Sequence, residues 1–222
     1  MFNRRINIFT GHFGSGKTEV AVNFALKLAE EDHKTAIVDF DIVNPFFRTV
    51  DAKASLEEKN IWVIAPRYAN TNIDVPALPP EINTVFEKKE YKIIFDVGGD
   101  DLGAKVLSRY NEDILNDDYE MFFVINSRRP MTDTEEKIDE MIYEIEGSSR
   151  LKITKIINNT NLLQYTTAED IIEGHRLIEK VSNKRKIPIS FISGFGEPLK
   201  KAAEKIGIEA FYMEKLIKLP FD

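Results

Sequence analysis

Eight residues, Gly11-His12-Phe13-Gly14-Ser15-Gly16-Lys17-Thr18, fit the pattern G-x-x-x-x-G-K-[ST] without departure. The pattern has a mechanism. Glycines let the backbone curl until successive N–H groups converge on a phosphate. The lysine reaches the β- and γ-phosphates, and the final hydroxyl is a ligand for Mg²⁺. Gly11, His12, Phe13, Gly14, Ser15, Gly16, Lys17, Thr18 and the adjoining Glu19 are therefore the candidate cofactor-binding residues, with Lys17 also catalytic and Thr18 also a metal ligand. Three aspartates extend the set. Asp39 and Asp41 stand two residues apart at the end of an apolar run, so they share one side of a strand. Asp96 closes a second apolar run and is followed by Gly98 and Gly99. Carboxylates at strand tips beside a phosphate loop suit Mg²⁺, which takes oxygen ligands. Capping of the turn at 42–45 is the other reading of Asp39 and Asp41. The glycines after Asp96 allow a loop to move when a γ-phosphate is gained or lost.

These groups need elements to hold them. Ile6-Asn7-Ile8-Phe9 reads as a short buried strand ahead of the glycine loop, and Val20, Ala21, Phe24, Ala25 and Leu28 recur behind it at helical spacing. Strand, loop and helix in that order aim a helix N-terminus at an anion. Further strands are expected at 35–41, 61–65, 91–96, 119–126, 153–157 and 187–192. Helices are expected at 81–89, at 132–146 (with Thr132 and Glu135 as a capping box), at 168–180 and at 199–206. The alternation predicts an α/β fold, a mostly parallel central sheet of about seven strands with helices on both faces, in one nucleotide-binding domain over 1–222. The irregular stretch 66–80 carries Arg67, Tyr68, Asn70, Asn72 and Asp74, and is either a partner or substrate loop or ordinary surface. Arg128 and Arg129, at the end of the fifth strand, face phosphate or solvent. The stretch 211–221 is amphipathic and is expected to be a terminal helix docked on the core.

Composition narrows the classes. The 222 residues are 43% hydrophobic and 30% charged, enough for one full core. A net charge of −7 argues against a nucleic-acid coat. No cysteine is present, so disulfides and thiolate metal ligands are excluded. The start has two arginines but no apolar signal core, and no run approaches the ~18 apolar residues of a membrane span. A soluble, cytoplasmic chain with no membrane or nucleic-acid partner is expected.

Together, the glycine loop, Val38-Asp39-Phe40-Asp41, Phe95-Asp96-Val97-Gly98-Gly99 and Ile156-Ile157-Asn158-Asn159 resemble the MinD/ParA/CobQ-type P-loop ATPases over about the first 200 residues. The resemblance implies ATP and Mg²⁺ at the strand tips. By position, Asp41 would orient the attacking water, while Asp39, Asp41 and Asp96 would serve the metal shell. Asn158 would contact the base, and 193–198 would pack beside adenine. There are two departures. His12 stands where the family carries its signature lysine, and histidine is shorter and carries no permanent charge. ATP alone is therefore expected to drive little homodimerisation. The paired cysteines of the metal-handling relatives are also missing. The resemblance implies a Mg-ATP-dependent switch that binds ATP and ADP, hydrolyses slowly and serves a protein partner. A small-molecule kinase or ligase similar to dethiobiotin synthetase is the alternative. A GTP switch fits less well, because 158–161 lacks the aspartate of N-K-x-D.

Overall fold

Apolar residues alternate along the central strands so that both sheet faces are buried. Ile6 and Ile8 face one core while Phe9 faces the other, and Met121, Phe123 and Ile125 oppose Phe122 and Val124 in the same way. Strands covered on both sides read as nearly continuous apolar runs, as parallel strands do. The computed structural model describes residues 4–40, 49–65, 79–99 and 101–217.

The strands are β1 (Ile6–Thr10), β2 (Thr35–Phe40), β3 (Trp62–Ile64), β4 (Lys92–Val97), β5 (Tyr119–Ile125), β6 (Lys155–Asn158), β7 (Ile189–Gly194) and β8 (Ala210–Tyr212). The helices are α1 (Lys17–Glu30), α2 (Lys53–Glu58), α3 (Glu81–Glu87), α4 (Asp101–Ser108), α5 (Asn111–Leu115), α6 (Glu135–Ser149), α7 (Ala168–Arg185) and α8 (Gly196–Ile206). Among the described residues they build one parallel sheet, ordered β3-β2-β4-β1-β5-β6-β7-β8. α1 and α2 cover one face, and α3 to α6 with the C-terminal half of α7 cover the other. Strand order reverses beside β1. In such sheets, ligands bind outside the carboxyl ends of the strands at that point. The glycine loop leaves β1 there.

Two expectations change. The described part of 211–221 is not a helix: β8 extends the sheet to eight strands, and 213–217 continue without helical structure. Phe211 and Met213 are buried on either side of the exposed Tyr212, the alternation of extended chain. The cap of α6 is Thr134, whose hydroxyl accepts from Lys137 N–H. The Thr132 hydroxyl instead donates to the Asn126 carbonyl, 2.7 Å away, and pins the turn after β5. Beyond Gly99, Gly103 of α4 lies close against Gly98.

A clamp ties the sheet to its helices at the end remote from the site. Arg5 pairs with Asp117 and donates to the carbonyls of Val85, Phe86 and Lys88 at 3.0, 3.2 and 3.2 Å, while Lys89 reaches Asp117 at 2.7 Å. Burial alone would raise the Asp117 carboxyl. The bonds from Lys89 and the Asp118 N–H, with the Arg5 charge, outweigh it and hold the group below its ordinary 3.8. A depressed carboxylate contributes stability above its unfolded value, and that contribution is lost as pH falls through the folded one. Asp117→Asn is expected to cost about 2 kcal/mol at pH 7, between surface and fully buried pairs. The gap to the parent should shrink below about pH 4. Urea midpoints at pH 7 and pH 3 check this, and equal midpoints at pH 7 would refute the clamp.

Candidate functional site

The site is built where β1 turns into α1. Gly16 caps α1 with φ 82° and ψ 18°, a left-handed conformation that favours glycine. A Cβ there would also lie 2.3 Å from Asn159 Nδ2. No side chain caps the helix, so its first N–H groups present a partial positive charge toward the loop. Lys17 and Thr18 occupy the first turn and are buried, 5% exposed each.

The loop is held from outside by residues of three strands. Asn159, just past β6, donates from Nδ2 to the Ser15 carbonyl at 2.7 Å, and its Oδ1 accepts from Ser193 Oγ of β7 at 3.0 Å. Arg129, past β5, donates from Nε to the Gly14 carbonyl at 3.0 Å. His12 Nδ1 lies 2.8 Å from the Phe13 carbonyl, which can only accept. Ser15 Oγ is buried and has no partner among the described residues.

A cavity of about 420 Å³ opens on this loop. It is lined by Phe13, Gly14, Gly16, Lys17, Thr18 and Glu19 of the loop and the first turn of α1, by Arg129 and Asn159, by Asn161, Leu163, Gln164 and Phe195, and by Met213, Lys215 and Ile217 from the chain after β8. The lining thus combines the loop's N–H groups and the cations Lys17, Arg129 and Lys215 with apolar side chains such as Leu163, Phe195, Met213 and Ile217.

Of the sequence-derived candidates, Phe13, Gly14, Gly16, Lys17, Thr18 and Glu19 line the cavity. Gly11, His12 and Ser15 belong to the loop without lining it. The Glu19 carboxylate accepts from the Leu216 N–H at 2.7 Å and the Ile217 N–H at 3.3 Å, and so fastens the chain after β8. Burial raises the Glu19 carboxyl above its ordinary value, against those N–H bonds, Asn23 and Lys215. Asn23 supports the same strap, accepting from the Glu214 N–H at 2.7 Å and donating to its carbonyl at 2.9 Å.

Asn158 does not line the cavity. It is fully buried, donates to the Ile171 carbonyl at 3.1 Å and accepts from the Thr160 N–H at 3.0 Å, so its amide is spent on α7 and the turn after β6. Asn159 and Asn161, which sequence reasoning did not assign, reach the site instead. In the 193–198 segment, Phe195 is the residue that faces the cavity. Asp41 and 66–78 lie outside the described residues, so the aspartate that the resemblance assigns to the attacking water and most of the candidate acceptor loop are not placed. Arg128 is held by Asp170 at 2.7 Å and Glu173 at 2.5 Å, away from that role.

Asp39 and Asp96 are buried register partners on the adjacent parallel strands β2 and β4, near their carboxyl ends. Thr49 Oγ1 donates to Asp96 Oδ2 at 3.0 Å. Two neighbouring buried carboxylates repel one another and favour a cation between or near them. Asp39, Asp96 and Thr18 are thus the described residues with the chemistry to serve a metal, although no group of three or more His, Cys, Asp or Glu gathers among the described residues. Gly99 touches the glycine loop directly: a Cβ built on it would lie 1.9 Å from the Gly11 carbonyl oxygen. Among the described residues, no helix is long and apolar enough to cross a membrane.

Comparisons with known proteins agree with this architecture. FtsY from Mycoplasma mycoides matches with a TM-score of 0.54 at 17% identity, over 86% of this chain and 60% of that one. FtsY from Thermotoga maritima matches with a TM-score of 0.55 at 18% identity, over 87% and 62%. The chain thus spans about 60% of the length of these two structures. A nucleotide-binding protein from Archaeoglobus fulgidus, in complex with ADP, matches with a TM-score of 0.50 at 14% identity, over 90% and 85%. At such identities the likeness concerns the fold. No curated protein matches the chain. The family described as the CobQ/CobB/MinD/ParA nucleotide binding domain matches residues 6–172. That stretch is three quarters of the sequence and holds the loop, both aspartate-bearing strands and the turn after β6, so the chain belongs to the CobQ/CobB/MinD/ParA nucleotide-binding family.

Proposed function

We propose that this protein is a Mg²⁺-ATP-dependent switch: it binds ATP, hydrolyses it slowly, and signals the outcome to a partner protein through the Gly98–Gly99 loop. The observation that carries the reading is the make-up of the cavity lining. It joins the N–H groups and Lys17 of the glycine loop, which suit a triphosphate, to apolar side chains such as Leu163 and Phe195, which suit a base. The solved ADP complex of the Archaeoglobus fulgidus protein supports the same ligand class.

Adenine is favoured over guanine. Guanine presents N–H donors that call for a carboxylate. Among the described lining residues the carboxylate is Glu19, already engaged by the Leu216 and Ile217 N–H groups. Gln164 lines the cavity with an amide that suits adenine's mixed donor and acceptor edge.

Mg²⁺ would be served by Thr18 and, through water, by Asp39, Asp41 and Asp96; it would neutralise charge on the phosphates. Lys17 would bind the transferred phosphoryl group and Asp41 would orient the water, so catalysis would rest on position and charge rather than covalent chemistry. The switch would follow from contact, since Gly99 abuts Gly11 and His12.

Calorimetric titration with ATP, ADP and GTP, with Mg²⁺ or with EDTA, tests the reading, coupled to phosphate release by the parent and by Asp41→Ala. ATP should bind at least tenfold tighter than GTP and need Mg²⁺. Asp41→Ala should lower kcat and spare affinity. No nucleotide binding by the parent would sink the proposal. Tighter GTP binding would reverse the base assignment.

A further inference from the structure

We infer that Arg129 is a phosphate-binding residue of this site, supplying from the same chain a second fixed positive charge beside Lys17. The inference rests on the nucleotide reading above and adds to it a residue outside the glycine loop.

Position supports it first. The backbone of Arg129 is pinned: its N–H donates to the Asn126 carbonyl at 3.1 Å and its carbonyl accepts from the Thr132 N–H at 3.0 Å. The guanidinium is thereby aimed from the end of β5 onto the glycine loop, where Nε holds the Gly14 carbonyl at 3.0 Å. The contact is close, as a Cβ built on Gly14 would meet Arg129 Nε at 3.3 Å. The same side chain lines the cavity with Lys17 and Thr18.

Charge supports it second. The adjacent Arg128 is bound by two carboxylates, Asp170 and Glu173. Arg129 makes no ion pair with a carboxylate among the described residues, and its bond to a neutral carbonyl uses one of five N–H donors. A guanidinium fixed through Nε leaves its two terminal nitrogens as a fork, the geometry that matches phosphate oxygens. His12 offers no equivalent, being shorter and tied to Phe13 through Nδ1.

A brace for the loop and a ligand for phosphate make different demands, and two substitutions separate them. Arg129→Lys keeps the charge and loses the fork. Arg129→Gln keeps an amide donor for Gly14 and loses the charge. Affinities for ATP and AMP would be measured by calorimetry at low and moderate salt, with Lys17→Ala as the reference for the nucleotide site itself. In Arg129→Gln, ATP affinity should fall on the order of tenfold or more, and the loss should exceed that for AMP. Arg129→Lys, which keeps the charge but not the fork, should recover only part of the affinity that Arg129→Gln loses, and the salt dependence of binding should be shallower in Arg129→Gln than in the parent. Parent-like ATP affinity in Arg129→Gln, or equal losses for ATP and AMP, would overturn the inference while leaving nucleotide binding intact. If Lys17→Ala also binds ATP like the parent, the nucleotide reading falls with it.

Discussion

Lys17→Ala is expected to lower ATP affinity on the order of a hundredfold while leaving the fold standing. The loss follows from what the ε-amino group does. A charge-assisted bond from ammonium to phosphate in a partly dry site is worth up to about 3 kcal/mol, and each 1.4 kcal/mol is roughly tenfold in binding. Lys17 is 5% exposed beside Thr18, where water competes weakly for the phosphate. Stability should be nearly unaffected, because two effects offset the lost packing of the lysine stem. A cation at the first position of a helix opposes the helix dipole, and alanine is the better helix former. The change in the urea midpoint should therefore correspond to less than about 1 kcal/mol. Titration of the variant with Mg-ATP, alongside a urea curve, checks both halves. Parent affinity would remove the glycine loop from the function, and a collapse in stability would make Lys17 a structural residue.

Most of the fold was legible in the sequence because a parallel sheet buried on both faces writes itself as short, continuous apolar runs. Seven strands announced themselves so. The eighth did not, for reasons visible in its residues. Ala210–Tyr212 is three residues long, and the apolar residues that follow mix two spacings. Phe211, Met213 and Ile217 are the buried ones, two and then four residues apart; Leu216 and Tyr212 supply the extra apolar character that mimics a helix. Thr132 was a plausible cap by its three-residue spacing to Glu135. Its hydroxyl was instead drawn to the Asn126 carbonyl, a contact that depends on how the turn folds back.

The site divides along the same line. A loop whose residues are consecutive in sequence is readable from sequence, since backbone curvature and side-chain chemistry lie within one local pattern. The residues that brace it are not. Asn159 and Arg129 act on Ser15 and Gly14 across more than a hundred positions. Nothing in Asn158-Asn159 says which amide turns inward. Alternation along β6 decides it, spending Asn158 on α7 and freeing Asn159 for the loop. Glu19 shows a further limit. Beside a phosphate loop it reads as a cofactor residue, yet a carboxylate there would repel phosphate. The chain resolves the conflict by bringing in Leu216 and Ile217, nearly two hundred residues away, whose N–H groups donate to the carboxylate.

Gly99→Ala should damage stability and nucleotide binding together, and the reason is steric. An added Cβ would stand 1.9 Å from the Gly11 carbonyl oxygen, 2.3 Å from its carbon and 2.8 Å from the His12 nitrogen. These are backbone atoms and cannot rotate aside as a side chain would. Relief to ordinary contact needs a displacement of about 1.5 Å, judged from the 3.5–4.0 Å optimum for nonbonded atoms. Gly11 has little room to retreat, since it lies close to the Val124 carbonyl of β5 on its other side. Overpacking of this kind costs about 1–3 kcal/mol, and here the upper end is expected. A shift near 1 Å in groups that position a reacting phosphate can cost about a hundredfold in rate, so phosphate release should fall steeply and affinity with it. Gly147→Ala is the control. It sits on the exposed face of α6 with nothing within 4 Å of its Cβ, and should stabilise by up to about 1 kcal/mol without touching binding. Melting curves, ATP titrations and phosphate release on both variants give the comparison. Gly99→Ala with the parent's midpoint and affinity would show that the two loops do not press on one another, and would remove the contact through which a nucleotide at Gly11–Thr18 could be read at Gly98–Gly99.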